Sequence, residues 1–280
     1  MVKISVQTIQ MMKKIPNSGY DDIKIHLLYH SNKIEGSTLS EKGLSQLIMN
    51  GEIDLSQEDG VLTADDMNES LNSGKAFDMV IDTLGEPLDK DMLCKWHGML
   101  MKNTSWDKMG VAGCYKKYPN TIRGAAIEVS TIDDVEPLMD DFLQKQGAFD
   151  EVNLECIAEQ HAAFEHIHPF QDGNGRIGRY IILKQCIEND LELVGIDDSF
   201  KYKYYQALET AQVSKYYKPL CDTFEDCQGM LDQSLAKVLP IIEQYNKIVE
   251  KETEQPEKEP FPGQNTSVEE DLKKEHQHKK

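Results

Sequence analysis

Arginine is almost missing from this chain. Only three of its 30 basic residues are arginine, namely Arg123, Arg176 and Arg179. Positive charge is scarce as well, with 49 acidic residues giving a net charge of −19 over 280 residues. Wrapping nucleic acid or coating an anionic membrane takes Lys and Arg, so neither is expected of this chain. Long apolar runs are absent. The best are Tyr180 to Leu183 and Val238 to Ile242, far short of the roughly 18–20 residues of a spanning helix. The N-terminal stretch lacks the apolar centre and cleavage site of a signal peptide. The six cysteines form no CxxC pair, which reads as reduced thiols in a cytoplasmic, soluble protein. No Walker A and no HExxH sequence occurs, and His161 and His166 lack the spacing of a zinc site.

What is there is mostly helical pattern. Tyr20 to Glu35 predicts a helix, with Asp21 and Asp22 in its first turn, a stripe at Ile23, Leu27 and Leu28, and Gly36 as its stop. Ser40 caps a second helix, and Thr63 opens a third that runs to about Leu84. Further helices are expected over Asp89–Asn103, Asp133–Gln146, Glu151–Ile167, Asn174–Asn189, Ser199–Tyr216 and Pro219–Glu250. From Cys114 to Val129 the residues are β-branched and aromatic around Pro119-Asn120, which predicts a β-hairpin. Residues 250–280 are polar, with three prolines and few sizeable apolar groups, and read as a disordered tail. The expected organisation is an N-terminal helical segment over 1–60, a core over 61–249 and that tail.

Chemistry concentrates in His168-Pro-Phe-Gln-Asp-Gly-Asn-Gly-Arg-Ile-Gly-Arg179. The residue before Pro169 is pushed out of the helical region, so one helix ends at Ile167. Gly173, Asn174 and Gly175 open the next. Glycines at a helix N-terminus let backbone N–H groups approach an anion, and the helix dipole favours negative charge there. Arg176 and Arg179, three residues apart, add two planar guanidinium forks. Asp172 is a candidate Mg²⁺ ligand, because that ion takes one or two carboxylates plus phosphate oxygens. His168 is the candidate general base.

This stretch resembles the signature of the Fic family, HxFx(D/E)GNGRxxR, at all eight defining positions. The resemblance extends to the lead-in residues His161, Ala162 and Ile167, to the expected hairpin and to Tyr204-Tyr205 downstream, spanning roughly residues 20–230. It implies a mainly α fold, a Fic-type helical bundle with one β-hairpin flap over about 113–129. It also implies transfer of AMP from ATP to a protein hydroxyl. His168 would take the proton, and Asp172 would hold Mg²⁺. Gly173, Asn174 and Gly175 would form the anion nest, with the Asn174 side chain on the α-phosphate. Arg176 and Arg179 would take the β- and γ-phosphates, and Phe170 would anchor the loop. Tyr204, Tyr205 and Gln212 would flank the adenine, and Gly124 in the flap would complete the nucleotide site. A target protein would dock on the flap by strand addition and offer a Ser, Thr or Tyr hydroxyl. Self-modification and a homo-oligomer remain open.

Ser31-Asn-Lys-Ile-Glu35-Gly36 matches the family's inhibitory pattern, [S/T]xxxE[G/N]. Ser31 and Glu35 share a helix face. A carboxylate at a helix C-terminus opposes the dipole and calls for a cationic partner. The resemblance names Arg179. Three alternatives stand beside AMP transfer: removal of AMP from a modified protein, phosphorylation, and a catalytically idle nucleotide-binding module. Gly175 stands where the phosphorylating branch has Lys, and intact His168 argues against an idle module.

Overall fold

The computed structural model describes residues 2–58, 60–121, 127–146 and 151–254. Twelve α-helices follow one another: α1 Val6–Lys14, α2 Tyr20–Ile34, α3 Glu41–Asn50, α4 Ala64–Asp82, α5 Lys90–Leu100, α6 Ser105–Lys108, α7 Ile132–Gln146, α8 Leu154–Ile167, α9 Asn174–Glu188, α10 Lys201–Ser214, α11 Lys218–Ser234 and α12 Leu239–Glu254. Short 3₁₀ turns sit at Leu55–Gln57 and Asp198–Phe200. Caps explain several starts. Ser40 accepts from the Gly43 N–H, and Thr63 forms a reciprocal box with Asp66. The helix expected over Pro219–Glu250 is two helices. A turn at 235–238 separates them, and Pro240 sits in the first turn of α12, where its missing N–H costs nothing. Helix α1 has no counterpart in the sequence reading.

Helix α9 lies at the centre. It packs against α2, α4, α5 and α8, and nearly every residue from Asn174 to Ile187 is buried. Helices α7, α10 and α11 back onto α8, while α1 packs on α12, α2 and α4. One hydrophobic cluster runs from Val2 through Leu44, Phe77 and Trp96 to Ile242, so the N-terminal helices share the core of the rest. Burying one such side chain contributes about 1.5–3 kcal/mol.

The expected β-hairpin is corrected. No strand occurs among the described residues. Around Lys116–Asn120 the backbone N–H groups of Lys116 and Tyr118 and the Asn120 amide bond to the motif loop, while Lys116 Nζ donates to Asn120 Oδ1 at 3.0 Å. The Lys116 N–H donates to the Pro169 carbonyl at 2.7 Å, and the Asn120 amide donates to the Phe170 carbonyl at 3.0 Å. The Tyr118 N–H reaches the Gln171 side-chain oxygen at 3.2 Å. The flap apex, with Arg123 and Gly124, and the tail from 255 lie outside the described residues.

Candidate active site

Helix α8 ends on His168, which caps it in the left-handed region (φ 53°, ψ 58°) and returns its N–H to the Phe164 carbonyl. That is an uncommon conformation for a residue with a side chain, and it is held by what surrounds it. The His168 Nδ1 lies 3.3 Å from the Glu165 carbonyl oxygen. A carbonyl only accepts, so Nδ1 carries the proton and Nε2 keeps its lone pair. Burial pushes His168 down to about 4, with the Lys116 ammonium adding to the effect. The imidazole is therefore neutral at neutral pH and able to accept a proton.

The loop from Pro169 to Gly173 is closed from three sides. Phe170 is fully buried and stacks on His97 at 4.1 Å and 14°. The Asn174 side chain bonds both the N–H and the carbonyl of Phe170, at 2.8 and 2.9 Å. Its side chain thus braces the loop, with one amide N–H given to the Phe170 carbonyl. Gly173 has φ 75°, and a Cβ there would meet the Met101 methyl at 2.3 Å. Glycine is favoured there on both counts. Asp172 accepts from the Gly173 N–H at 2.8 Å.

Both arginines of the motif meet carboxylates. Arg179 donates from Nε to the Ser31 hydroxyl at 2.8 Å and from Nη2 to Glu35 Oε1 at 2.5 Å. The Ser31 carbonyl accepts a further bond at 3.2 Å. Glu35 Oε1 also presses on Gly175, where it would lie 2.4 Å from an added Cβ. The protein's own carboxylate therefore sits against the N-terminal turn of α9, the place suited to an anion. Packing around the Glu35 carboxyl would raise its pKa, but Arg179 and then Arg176 outweigh that and hold it below the ordinary value. Arg176 pairs with Glu69 of α4, while its buried Nε has no partner.

The geometry can now be set beside known proteins. Residues 87–186 match the model of the Fic/DOC family. The chain carries a Fic/DOC-family domain. It is 31% identical over 110 residues to a probable protein adenylyltransferase of Aquifex aeolicus (strain VF5), a stretch covering 38% of this chain. The chain spans about a third of the length of that curated relative, 33%. Two crystal structures and one further solved structure share the fold. A Fic domain containing signaling protein from Bacteroides thetaiotaomicron VPI-5482 superposes with a TM-score of 0.68 at 19% identity, covering 85% of this chain and 97% of that one. A Fic family protein from Desulfovibrio desulfuricans G20 gives 0.59 at 19%, covering 90% and 75%. Residues 134–508 of Fic-1 from C. elegans give 0.62 at 16%, covering 88% and 72%.

Downstream of the matched segment the residues expected at the adenine divide. Tyr204 is buried, and its hydroxyl lies 2.6 Å from His161 Nε2. Gln212 donates to the Ala162 carbonyl at 3.4 Å. Both tie α10 to α8 inside the core and do not line an open site. Tyr205 is 41% exposed, and its hydroxyl reaches the Ile34 carbonyl at the end of α2.

Four residues of the site were not foreseen. Glu69 holds Arg176, as above. His97 bridges two segments: its Nδ1 accepts from the Gly113 N–H at 2.9 Å and its Nε2 donates to the Asp172 carbonyl at 3.1 Å. Burial pushes it down to about 3. Glu165 is buried, and burial pushes its carboxyl up to about 8. Lys116 is buried beside His168, and burial pushes its amine down to about 8. A histidine or glutamate within an apolar helix stripe gives no sequence signal of such a role. The i, i+4 pairing of Ser31 and Glu35 did give one.

Proposed function

We propose that this protein transfers AMP from ATP to a hydroxyl side chain of a target protein, and that Glu35 restrains the reaction. The observation that carries the reading is a neutral, tautomer-fixed His168 beside a helix N-terminus whose anion position is filled by the Glu35 carboxylate. In the reaction a target hydroxyl oxygen attacks the α-phosphorus and the bond to the bridging oxygen of pyrophosphate breaks. The hydroxyl proton passes to His168 Nε2. Pyrophosphate leaves with its charge held by Arg176 and Arg179. Such transfer needs positioning and charge neutralisation more than covalent help. ATP supplies the AMP, as the name of the Aquifex relative suggests.

The donor set fits Mg²⁺. Asp172 is a hard oxygen donor at the mouth of the anion nest, and its Oδ1 is already oriented by the Gly173 N–H. When bound, the ion neutralises phosphate charge. Glu35 acts as a competitor: while it holds Arg179, the guanidinium is not available to a γ-phosphate. A second reading, removal of AMP, draws on the same carboxylate. The Glu35 side chain stays 31% exposed, so it can orient a water.

The test is incubation with ATP labelled at the α-phosphate and Mg²⁺, for wild type, Glu35→Gly and His168→Ala. Labelling of protein that rises in Glu35→Gly and vanishes in His168→Ala is expected. Label retained by His168→Ala overturns the transfer reading. Release of AMP from a pre-modified protein, with no labelling by any variant, favours the second.

A further inference from the structure

A second cluster of ionisable groups lies outside the motif, where α2 meets the turn at Asp197–Phe200. His30 of α2, Asp197 and Asp198 each offer a ligand atom, and these atoms lie within 4.8 Å of one another. The His30 Nδ1 is 2.6 Å from Asp198 Oδ1. Two lone pairs do not approach that closely, so the proton is on Nδ1. The Asp198 backbone N–H also points at Nδ1, at a longer 3.3 Å. In the neutral imidazole Nε2 then carries the lone pair. What it faces is Asp197 Oδ2, at 3.6 Å. Asp197 cannot turn away, since its other oxygen accepts from both the N–H and the hydroxyl of Ser199, at 2.8 and 2.5 Å. A ring nitrogen and a carboxylate oxygen are thus held facing each other across a gap that a cation would bridge.

We propose that His30 Nε2 and Asp197 Oδ2 ligate a divalent ion of the zinc class, with Asp198 orienting His30 from behind and His26 one helical turn away, outside the cluster as it stands. The spacing suits it. Zinc bonds of about 2.0–2.1 Å place neighbouring tetrahedral ligand atoms roughly 3.4 Å apart. A histidine that binds metal through one nitrogen and gives its other N–H to a carboxylate is the usual supporting arrangement. His26 precedes His30 by one helical turn, and its ring meets that of His30 edge-on at 4.5 Å. Two histidines at i, i+4 on one helix face have chelating spacing. Burial keeps His26 less basic than usual, despite Glu41 at 3.7 Å. Imidazole with carboxylate favours zinc, cobalt or nickel over Mg²⁺. The ion would cross-link α2 to the segment that leads into α10.

The experiment is calorimetric titration of the nucleotide-free full chain with ZnCl₂, for wild type, His30→Gln, Asp197→Asn and Asp198→Asn. The variants keep Asp172, all six cysteines and the C-terminal histidines, so zinc held by those groups is common background. One saturable site in wild type, abolished in His30→Gln and Asp197→Asn and weakened about 10–100-fold in Asp198→Asn, is expected. Zinc should also raise the melting temperature of wild type alone. Equal titrations of wild type and His30→Gln overturn the proposal, and that is the result if a proton rather than a metal bridges the gap. Should both ligand variants unfold, wild type is titrated with Co²⁺. A tetrahedral nitrogen–oxygen spectrum in the visible supports the site, and its absence rejects it.

Discussion

Replacing Glu35 by Gly removes one carboxylate from Arg179 and leaves the guanidinium with the Ser31 hydroxyl and carbonyl. A hydrogen bond between charged partners is worth about 1.5–3 kcal/mol. The Glu35 side chain is 31% exposed against 8% for Arg179, so water screens the pair and about 1–2 kcal/mol is the fitting figure. Under the proposed restraint, that energy opposes a γ-phosphate. Its removal should raise productive use of ATP by about 5–30-fold at subsaturating concentrations. The assay is the initial rate of AMP incorporation in a double-mutant cycle of Glu35→Gly and Arg179→Ala. The double variant should be no faster than Arg179→Ala alone, because the two side chains act through one contact. A parallel cycle with Arg176→Ala should show less than about half that coupling. Arg176 acts on Glu35 through charge and gives its hydrogen bond to Glu69. Additive effects of Glu35 and Arg179 would refute the reasoning, as would equal rates in Glu35→Gly and wild type.

Acidity should destabilise the fold. His97, His161 and His168 are held at about 3, 3 and 4 against 6.5 when free. The unfolded chain gains protons that the fold refuses, so stability is intact above pH 6.5 and falls as pH drops toward 4, by at most about 1.4 kcal/mol per histidine per pH unit. Melting curves across pH should flatten there in His161→Gln, and an unchanged slope contradicts the assignment. Glu165 runs the other way: its raised value contributes stability at low pH that is lost as pH climbs from 4.5 through 8, so Glu165→Gln should gain most above pH 8. His97→Ala leaves the Gly113 N–H and the Asp172 carbonyl without a partner, at about 1–3 kcal/mol each, and denaturant unfolding should show that loss. Gly173→Ala combines a left-handed backbone with the Met101 collision and should cost about 1–3 kcal/mol; Met101→Ala should recover only part.

The helices were legible because capping and periodicity are local. Thr63, Ser40 and Asn174 mark their helix starts as the composition suggested. The Glu35–Arg179 contact was also legible, because Ser31 and Glu35 share a helix face and the family resemblance names Arg179 as the partner. The flap was not, since Lys116 and Asn120 bond to a loop fifty residues away in sequence. The surroundings of Tyr204 and Gln212 were not legible for a related reason. Their spacing on α10 is the same whether they face a nucleotide or α8, and the choice depends on His161 and Ala162 opposite. Glu69, a glutamate in a polar helix stretch, gave no hint that it would meet Arg176.

The end of α2 bears on how fast restraint can be lifted. Gly36 takes φ 100°, and the Ser37 N–H returns to the Asn32 carbonyl at 2.9 Å. This is the hydrogen-bonded finish that stabilises a helix terminus without any side chain. Glu35 therefore stands on a backbone that holds itself together, and an added Cβ at Gly36 would meet nothing within 4 Å. Arg179, by contrast, rises from a helix buried on nearly every side. The part free to move is the carboxylate arm, not the helix or the guanidinium. Exposed side-chain rotations take picoseconds to nanoseconds, whereas shifts of whole helices take microseconds to milliseconds. Under the proposed transfer reaction, access to Arg179 is then a rapid pre-equilibrium, and the parting of Glu35 from Arg179 should not limit turnover.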